Sequence, residues 1–380
     1  VSSRTGPLSI AVVGPARFPV AEPFAGGLEA HTHALVSGLQ RRGHRVTLYA
    51  APGSDPRLRP VDLAVDAFAS SPAARADVGA PPEQWMREHH AYLDLMLALG
   101  GQRGPRGRQG GLPSGLPGGP DTSYDVVHDN SLHHLPVAMA GTLPMPVLTT
   151  LHTPPVPWLE SAAVLRGAAH PFVTVSTAMA TAWRHVLDSR VVPNGVDTTQ
   201  WRAGPGGTRA VWSGRLVPEK APHEAVLAAH RAGMAIDLAG PILDRAYFDR
   251  HLRPLLGSRA RYLGHLGQRS LRHLVGRARV VLVTPAWDEP FGLVAAEALA
   301  CGTPVAAYDR GALREIVTPD VGSLATAGDV DGLAAALHRA ARVDRGAARD
   351  RAQRFFSLDA MLDGYEHLYA RVTSRDLVVA

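Results

Sequence analysis

The chain of 380 residues is 46% hydrophobic and 19% charged, enough apolar material for one very large domain or two ordinary ones, and this excludes global disorder. Its single cysteine, Cys301, excludes a disulfide framework and a zinc cluster of several thiolates. The net charge of +5 suits anionic ligands, but the basic residues are dispersed with no aromatic-interleaved basic motif, so no nucleic-acid partner is expected.

Residues 8–13 form a continuous apolar run of buried-strand length. A Pro- and Gly-containing loop follows and ends at Gly26-Gly27. Residues 28–42 carry apolar positions on a helical period, and Gly43 stops them. Residues 45–50 are the next strand. This strand–helix–strand order predicts a parallel sheet with crossover helices. Residues 83–99 read as a helix. The stretch 100–120 is dominated by Gly, Pro and Arg, cannot pack a core, and reads as a mobile surface loop. Strands are expected at 125–127, at 147–151 leading to His152, at 172–175 leading to Ser176, and at 191–192, closed by the turn Pro193-Asn194-Gly195.

Residues 199–208 are the expected linker. A second alternating series follows it, with strands at 210–213, 236–239, 261–263, 280–284 and 304–307. Helices are expected at 222–233, 244–256, 269–276, 291–301, 330–342 and 358–372. The fold class is therefore α/β, with two Rossmann-like parallel-sheet domains, 1–200 and 201–357. Ligands of open parallel sheets sit beyond the carboxyl ends of strands, so two such domains facing each other would enclose a cleft. No apolar run approaches the ~18–20 residues that span a bilayer. The first residues carry no secretory pattern. A cytoplasmic setting without a membrane span is expected.

Residue usage singles out a few positions. Lys220 is the only lysine among 39 basic residues, and Asn130 and Asn194 are the only asparagines. Together with just four isoleucines, this resembles the output of a GC-rich genome, in which a Lys or Asn that is dispensable tends to be replaced.

Four clusters lie where strands run out. Gly26-Gly27 opens a helix, where small residues let backbone amides approach a phosphate. Arg215 and Lys220 stand five residues apart after a strand, and two converging cations can neutralise a departing diphosphate without a metal. Glu289 falls in a loop before a helix that Phe291 opens. Gly292, Leu293 and Val294 then offer first-turn amides, and Glu297 places a carboxylate on an otherwise apolar helix, able to take both hydroxyls of a ribose. His152 directly follows a strand. No H-E-x-x-H or G-x-S-x-G motif occurs, and His133-His134 lacks a ligand partner at helical spacing, so no dedicated metal site is expected.

Gly214-Arg215 with Lys220, Glu289-x7-Glu297, Gly26-Gly27, VPNGVD at 192–197, GTPVAAYDRGALREIV at 302–317 and VGSL at 321–324, in this order, resemble retaining glycosyltransferases of family 4, which have the GT-B fold. The resemblance runs from about residue 8 to 372 and is strongest after Ala210. Departures are the 100–120 insert and Asp309-Arg310-Gly311, where a Gly-Gly pair is more usual.

The resemblance implies that Arg215 and Lys220 hold the donor's diphosphate. Glu289 would contact the transferred sugar, with the amides of Phe291 to Val294 beside sugar and phosphate, and Glu297 would bind the ribose. Gly26-Gly27 would approach the diphosphate from the other domain. His152 would touch the donor sugar, and Asn194 would belong to the donor side. It also implies transfer with retention, no divalent metal, no cofactor beyond a nucleotide-sugar donor, most simply a UDP-sugar, and a C-terminal segment, 358–380, crossing back to the N-terminal domain. The partner on the other side is a hydroxyl acceptor, with a small polar molecule favoured. Asn130 and His133 are the acceptor-side candidates. A nucleotide-sugar epimerase of the same architecture and a non-catalytic nucleotide-sugar binder are the alternatives.

Overall fold

The computed structural model describes residues 6–65, 70–76, 78–79, 81–101, 123–166 and 170–374. The expected mobile loop at 100–120 lies, from residue 102 on, outside the described residues. The first sheet contains β1 (Ser9–Val13), β2 (Arg45–Ala50), β3 (Pro60–Asp62), β4 (Val126–Asp129), β5 (Val147–Leu151), β6 (Phe172–Thr174) and β7 (Arg190–Val191). The second contains β8 (Ala210–Ser213), β9 (Ile236–Ala239), β10 (Ala260–Tyr262), β11 (Val280–Val283), β12 (Val305–Tyr308) and β13 (Gly322–Ala325). Every ladder is parallel.

The strand orders are β3-β2-β1-β4-β5-β6-β7 and β10-β9-β8-β11-β12-β13. Both halves are therefore doubly wound, each with a switch point where its order reverses, between β1 and β4 and between β8 and β11. The central strands β1, from Ile10 on, and β11 are apolar because helices cover both faces of the sheet.

The first half carries α1 (Gly27–Arg41), α2 (Pro72–Arg75), α3 (Glu83–Leu99), α4 (His134–Met139), α5 (Pro157–Leu165) and α6 (Thr177–Trp183). The second carries α7 (Pro222–Arg231), α8 (Arg245–Tyr247), α9 (Gln268–Gly276), α10 (Leu293–Ala300), α11 (Leu313–Ile316), α12 (Val330–Ala340) and α13 (Arg345–Phe355). No helix among the described residues is long and apolar enough to cross a membrane. The helix expected over 244–256 is broken. A π-turn at Phe248–Leu252 follows α8, and Pro254 then tightens the chain into a 3-10 turn because it lacks the N–H an α-helix needs.

Helix α14 (Leu358–Thr373) returns to the first half. Ser357 caps it, and Leu358, Met361, Leu362, Tyr365, Leu368, Tyr369 and Val372 form a buried stripe at helical spacing. That stripe completes a core with Ile10, Val12, Leu35 and Leu39. The approach to α1 is close: a Cβ on Gly38 would lie 2.6 Å from Leu362 Cδ1.

The segment 199–208, expected to be a linker, is fixed to the second half. Trp201 is buried in that half's core, Gly204 N–H donates to the Cys301 carbonyl at 3.0 Å, and Gly206 N–H donates to the Gly276 carbonyl at 3.0 Å. The chain crosses between halves just before it and again before α14. There Val196 N–H donates to the Phe356 carbonyl (2.8 Å), and Leu358 N–H donates to the Val196 carbonyl (2.9 Å).

Candidate active site

The carboxyl ends of the two sheets face a cleft made of two adjoining cavities, of ≈ 110 and ≈ 420 Å³. Gly26, Gly27, Arg215 and Leu293 line both. The larger falls in the size range of small-ligand sites, roughly 300–1,000 Å³. It also receives Lys220, Glu289, Phe291, Gly292, His152, Asn194 and His133. The smaller receives Val294 and Glu297. Of the residues singled out in the sequence, Asn130 alone lines neither.

The wall from the second half begins where β8 ends, at Ser213-Gly214-Arg215. Lys220 reaches across this wall, and its Nζ lies 2.6 Å from Glu289 Oε2 and 5.0 Å from the centre of the Trp287 ring. The two residues expected to divide phosphate and sugar between them are thus an ion pair. Arg215 lies 3.9 Å from Glu219. Helix α10 opens at Leu293, two residues later than expected at Phe291, because Gly292 turns the chain with φ +98° before the first helical residue. The amides of Leu293 and Val294 have no carbonyl one turn earlier to bond, and no side chain caps them.

Gly311, the one glycine left in Asp309-Arg310-Gly311, packs on the Glu289 backbone. A Cβ there would lie 2.3 Å from the Glu289 carbonyl oxygen, which accepts the Ala312 N–H at 2.9 Å. Arg310 bonds Asp288 and Arg314 bonds Asp309, so neither cation is directed by an ion pair toward the cleft. Glu297 sits in the second turn of α10, 8% exposed. Burial pushes its carboxyl up to about 8, with the charge of Arg272 only partly opposing, so it holds its proton near neutral pH.

The wall from the first half begins at the N-terminus of α1, where Gly26 occupies the cap position without a side-chain hydrogen bond. Glu29, which the sequence did not single out, is buried there. A Cβ on Gly26 would meet its Oε2 at 3.2 Å. Burial raises the Glu29 carboxyl, while backbone N–H bonds and Arg215 pull it back. A carboxylate thus stands where the helix N-terminus favours an anion. An acidic residue in a first turn is the ordinary dipole partner, so nothing in the sequence distinguished it.

His152 follows β5. Its Nε2 lies 2.8 Å from Asn130 Oδ1, which fixes the proton on that nitrogen. Burial, then His31 and His128, hold His152 well below the usual histidine range, so it is neutral. Asn130 was expected to face an acceptor. It is instead fully buried beneath His152, because it extends β4 into the sheet's interior. Below it lies a polar network: His128 Nδ1 is 2.7 Å from Tyr369 Oη, His128 Nε2 is 2.8 Å from Thr150 Oγ1, and Thr150 Oγ1 is 3.3 Å from Tyr365 Oη. Burial brings His128 down to about 3 and His31 to about 4. Asn194 is buried at the cleft with its Oδ1 unbonded among the described residues.

His133 lines the cleft and caps α4, its Nδ1 accepting the Leu135 N–H at 3.2 Å. His89 of α3 packs against His133 and His134, a grouping that chain spacing could not reveal. The walls also touch directly. Ser176 Oγ donates to the Pro290 carbonyl at 2.6 Å, and the Thr177 and Ala178 amides donate to the Glu315 carboxylate at 2.9 and 2.7 Å.

Residues 25–200 match the family described as Glycosyltransferase Family 4, and residues 200–353 match Glycosyl transferases group 1. The chain is similar to a glycogen synthase of Mycobacterium tuberculosis, with 29% identity over 375 aligned residues that cover 86% of this chain and 85% of the relative. Its fold resembles that of the sucrose-phosphate synthase of Thermosynechococcus elongatus, with a TM-score of 0.73 and 20% identity over 97% of this chain and 100% of that one. It also resembles Anabaena HepE in complex with UDP and glucose, with a TM-score of 0.71 and 17% identity over 96% and 99% of the two chains. The two family matches meet at residue 200 and take one wall of the cleft each; the chain belongs to the group 1, family 4 glycosyltransferases of GT-B fold, which transfer a sugar from a nucleotide-sugar donor.

Proposed function

We propose that the protein moves a hexosyl unit from a UDP-sugar to a hydroxyl acceptor with retention of configuration and without a divalent metal. The observation that carries this reading is the meeting of Arg215, Lys220, Glu289 and the open helix ends of α1 and α10 on one cleft between the two switch points. Residues 1–200 serve as the acceptor half, 201–357 as the donor half, and 358–380 as the segment that ties them.

Lys220 is held by Glu289, and Arg215 lies near enough to Glu29 to pull its carboxyl down. A donor diphosphate competes for both cations. Once it enters, Lys220 and Arg215 neutralise the leaving group, and Glu289 is released to bind hydroxyls of the sugar. The first-turn amides of α1 and α10 add their dipoles to the same anion. Glu297, protonated near neutral pH, takes the ribose hydroxyls. His152, neutral and oriented by Asn130, borders the sugar. The bond from the anomeric carbon to the diphosphate oxygen breaks as the acceptor oxygen bonds on the same face. The departing phosphate oxygen takes the acceptor's proton. Asn194 serves the donor side and His133 the acceptor side.

HepE was solved with UDP and glucose, which favours a uridine donor as the first one to test. The decisive experiment incubates the protein with UDP-, GDP- and ADP-sugars and follows nucleoside diphosphate release. Slow release from a UDP-sugar, faster with a hydroxyl acceptor, is the expected result. Faster release from an ADP- or GDP-sugar would replace the donor. Epimerised sugar without acceptor would replace the reaction.

A further inference from the structure

We propose that His89, His133 and His134 form a three-histidine site for a divalent transition-metal ion of the zinc class, on the acceptor-side wall of the cleft. The site goes beyond the transfer reading and does not rest on it. His89 comes from the middle of α3, His133 caps α4, and His134 is the first residue of α4. Each offers a ring nitrogen within 4.8 Å of those of the other two. His133 and His134 line the larger cavity.

Two observations separate this group from a chance cluster. His89 Nδ1 and His133 Nε2 are buried and have no hydrogen-bond partner among the described residues. Native proteins rarely leave such nitrogens unsatisfied. The rings also lie packed together on one wall, with Tyr92 stacked on His133 at 4.6 Å, Trp85 on His89 at 5.1 Å, and His133 on His134 at 4.3 Å. Neutral imidazole is the ligand form for zinc-like ions.

Metal–nitrogen bonds of about 2.0–2.1 Å require ligand atoms closer than 4.8 Å, so binding must unstack these rings and turn them about their side-chain bonds until their nitrogens converge. Three protein ligands leave a fourth position for water or for an oxygen of a bound molecule. His133 Nδ1 now accepts the Leu135 N–H, so its proton lies on Nε2. Ligation through Nε2 moves that proton to Nδ1 and breaks the cap.

The test uses untagged full-length protein, stripped with chelator and titrated with zinc chloride. The expected result is about one tight zinc per chain. His89→Ala and His134→Ala should each weaken it by at least about 10–100-fold, the loss that even an outer-shell change brings. His90→Ala, an exposed neighbour on α3, should bind as wild type. A melt of each variant shows whether it is folded. Cobalt added to the wild type gives a second readout independent of the variants: intense visible bands of a four-coordinate ion are expected, and His133 should switch tautomer in nitrogen NMR. Zinc affinity unchanged in both folded variants, or only the pale spectrum of six-coordinate cobalt, overturns the site. Donor hydrolysis is measured separately in chelator, so loss of the metal site and failure of the transfer reading remain distinguishable.

Discussion

The two walls of the cleft solve the same task by different means. The wall from the second half is built from short contiguous stretches at strand ends, and its charges are partly exposed and paired with one another, as in Lys220–Glu289. The wall from the first half is set on a buried polar network in which Asn130 orients His152 while Tyr365 and Tyr369 of α14 bond Thr150 and His128. Changes to the second-half wall should therefore appear in chemistry, where partners can be exchanged for substrate. Changes to the first-half wall should appear first in stability, because a buried polar group left unpaired bears its full desolvation cost.

The sharpest way to break this contrast is Lys220→Arg. The chain uses Arg at every other basic position, yet the planar guanidinium cannot reproduce a compact ammonium wedged between Glu289 and Trp287. Turnover should fall on the order of 10²–10³ with the melt nearly unchanged. Wild-type turnover would remove Lys220 from the diphosphate site. Next come Glu289→Gln and Glu297→Gln, two carboxylates on the same wall. Glu297→Gln should cost about 10–100-fold in donor affinity, whereas Glu289→Gln should lower turnover at saturating donor. Equal turnover losses with unchanged affinity would refute the division of roles.

On the opposite wall, Asn130→Ala should lower unfolding stability by about 1–3 kcal/mol. An unaltered denaturant midpoint, paired with lost turnover, would invert the comparison. The pH dependence should separate the walls as well. His31 and His128 have folded pKa values below 6.5, so their contribution is present above pH 6.5 and is lost as pH falls toward 4 and 3. Glu297 is raised, so its contribution is present below pH 4.5 and is lost as pH rises toward 8. Melts across this range should fall on both flanks, and Glu297→Gln should flatten the part of the alkaline flank above about pH 6, beyond the raised Asp129 of the other wall; an unchanged alkaline flank in the variant would assign it elsewhere. The smallest expected effect is none: donor hydrolysis without acceptor should continue in excess chelator. Loss restored by magnesium would show that the two cations do not suffice.

The same contrast explains what could be read before the structure. Strands β8 to β12 of the second half and its charged cluster were legible because each functional residue lies within a few positions of a continuous apolar run. Helix α13 was missed because its sequence is mostly polar and buries only Ala348 and Ala352; it is held instead by Arg345 and Arg349, which donate to carbonyls such as those of Gly276 and Thr198. Helix α4 is six residues long with Pro136 inside it, too short to show a period. Helices α6 and α11 went unread for the same want of length, and β3 and β13, both edge strands, and α5 went unread as well. On the first-half wall Asn130 was noticed for its rarity, but its direction depends on how β4 and β5 pair. The meeting of His89 with His133-His134 depends on α3 packing against α4, which no local pattern encodes.

Helix α14 carries a consequence for how the molecule is made. Its stripe fills the core of the first half, yet a ribosome delivers it only after the entire second sheet has emerged. The first sheet must therefore wait, with Ile10, Val12 and Leu39 lacking their final cover, while the second can close as it is synthesised. A nascent chain at that stage is a client for chaperones through its earliest segment. A premature stop before Leu358 would strike the half translated first and leave the half translated last with its own core intact.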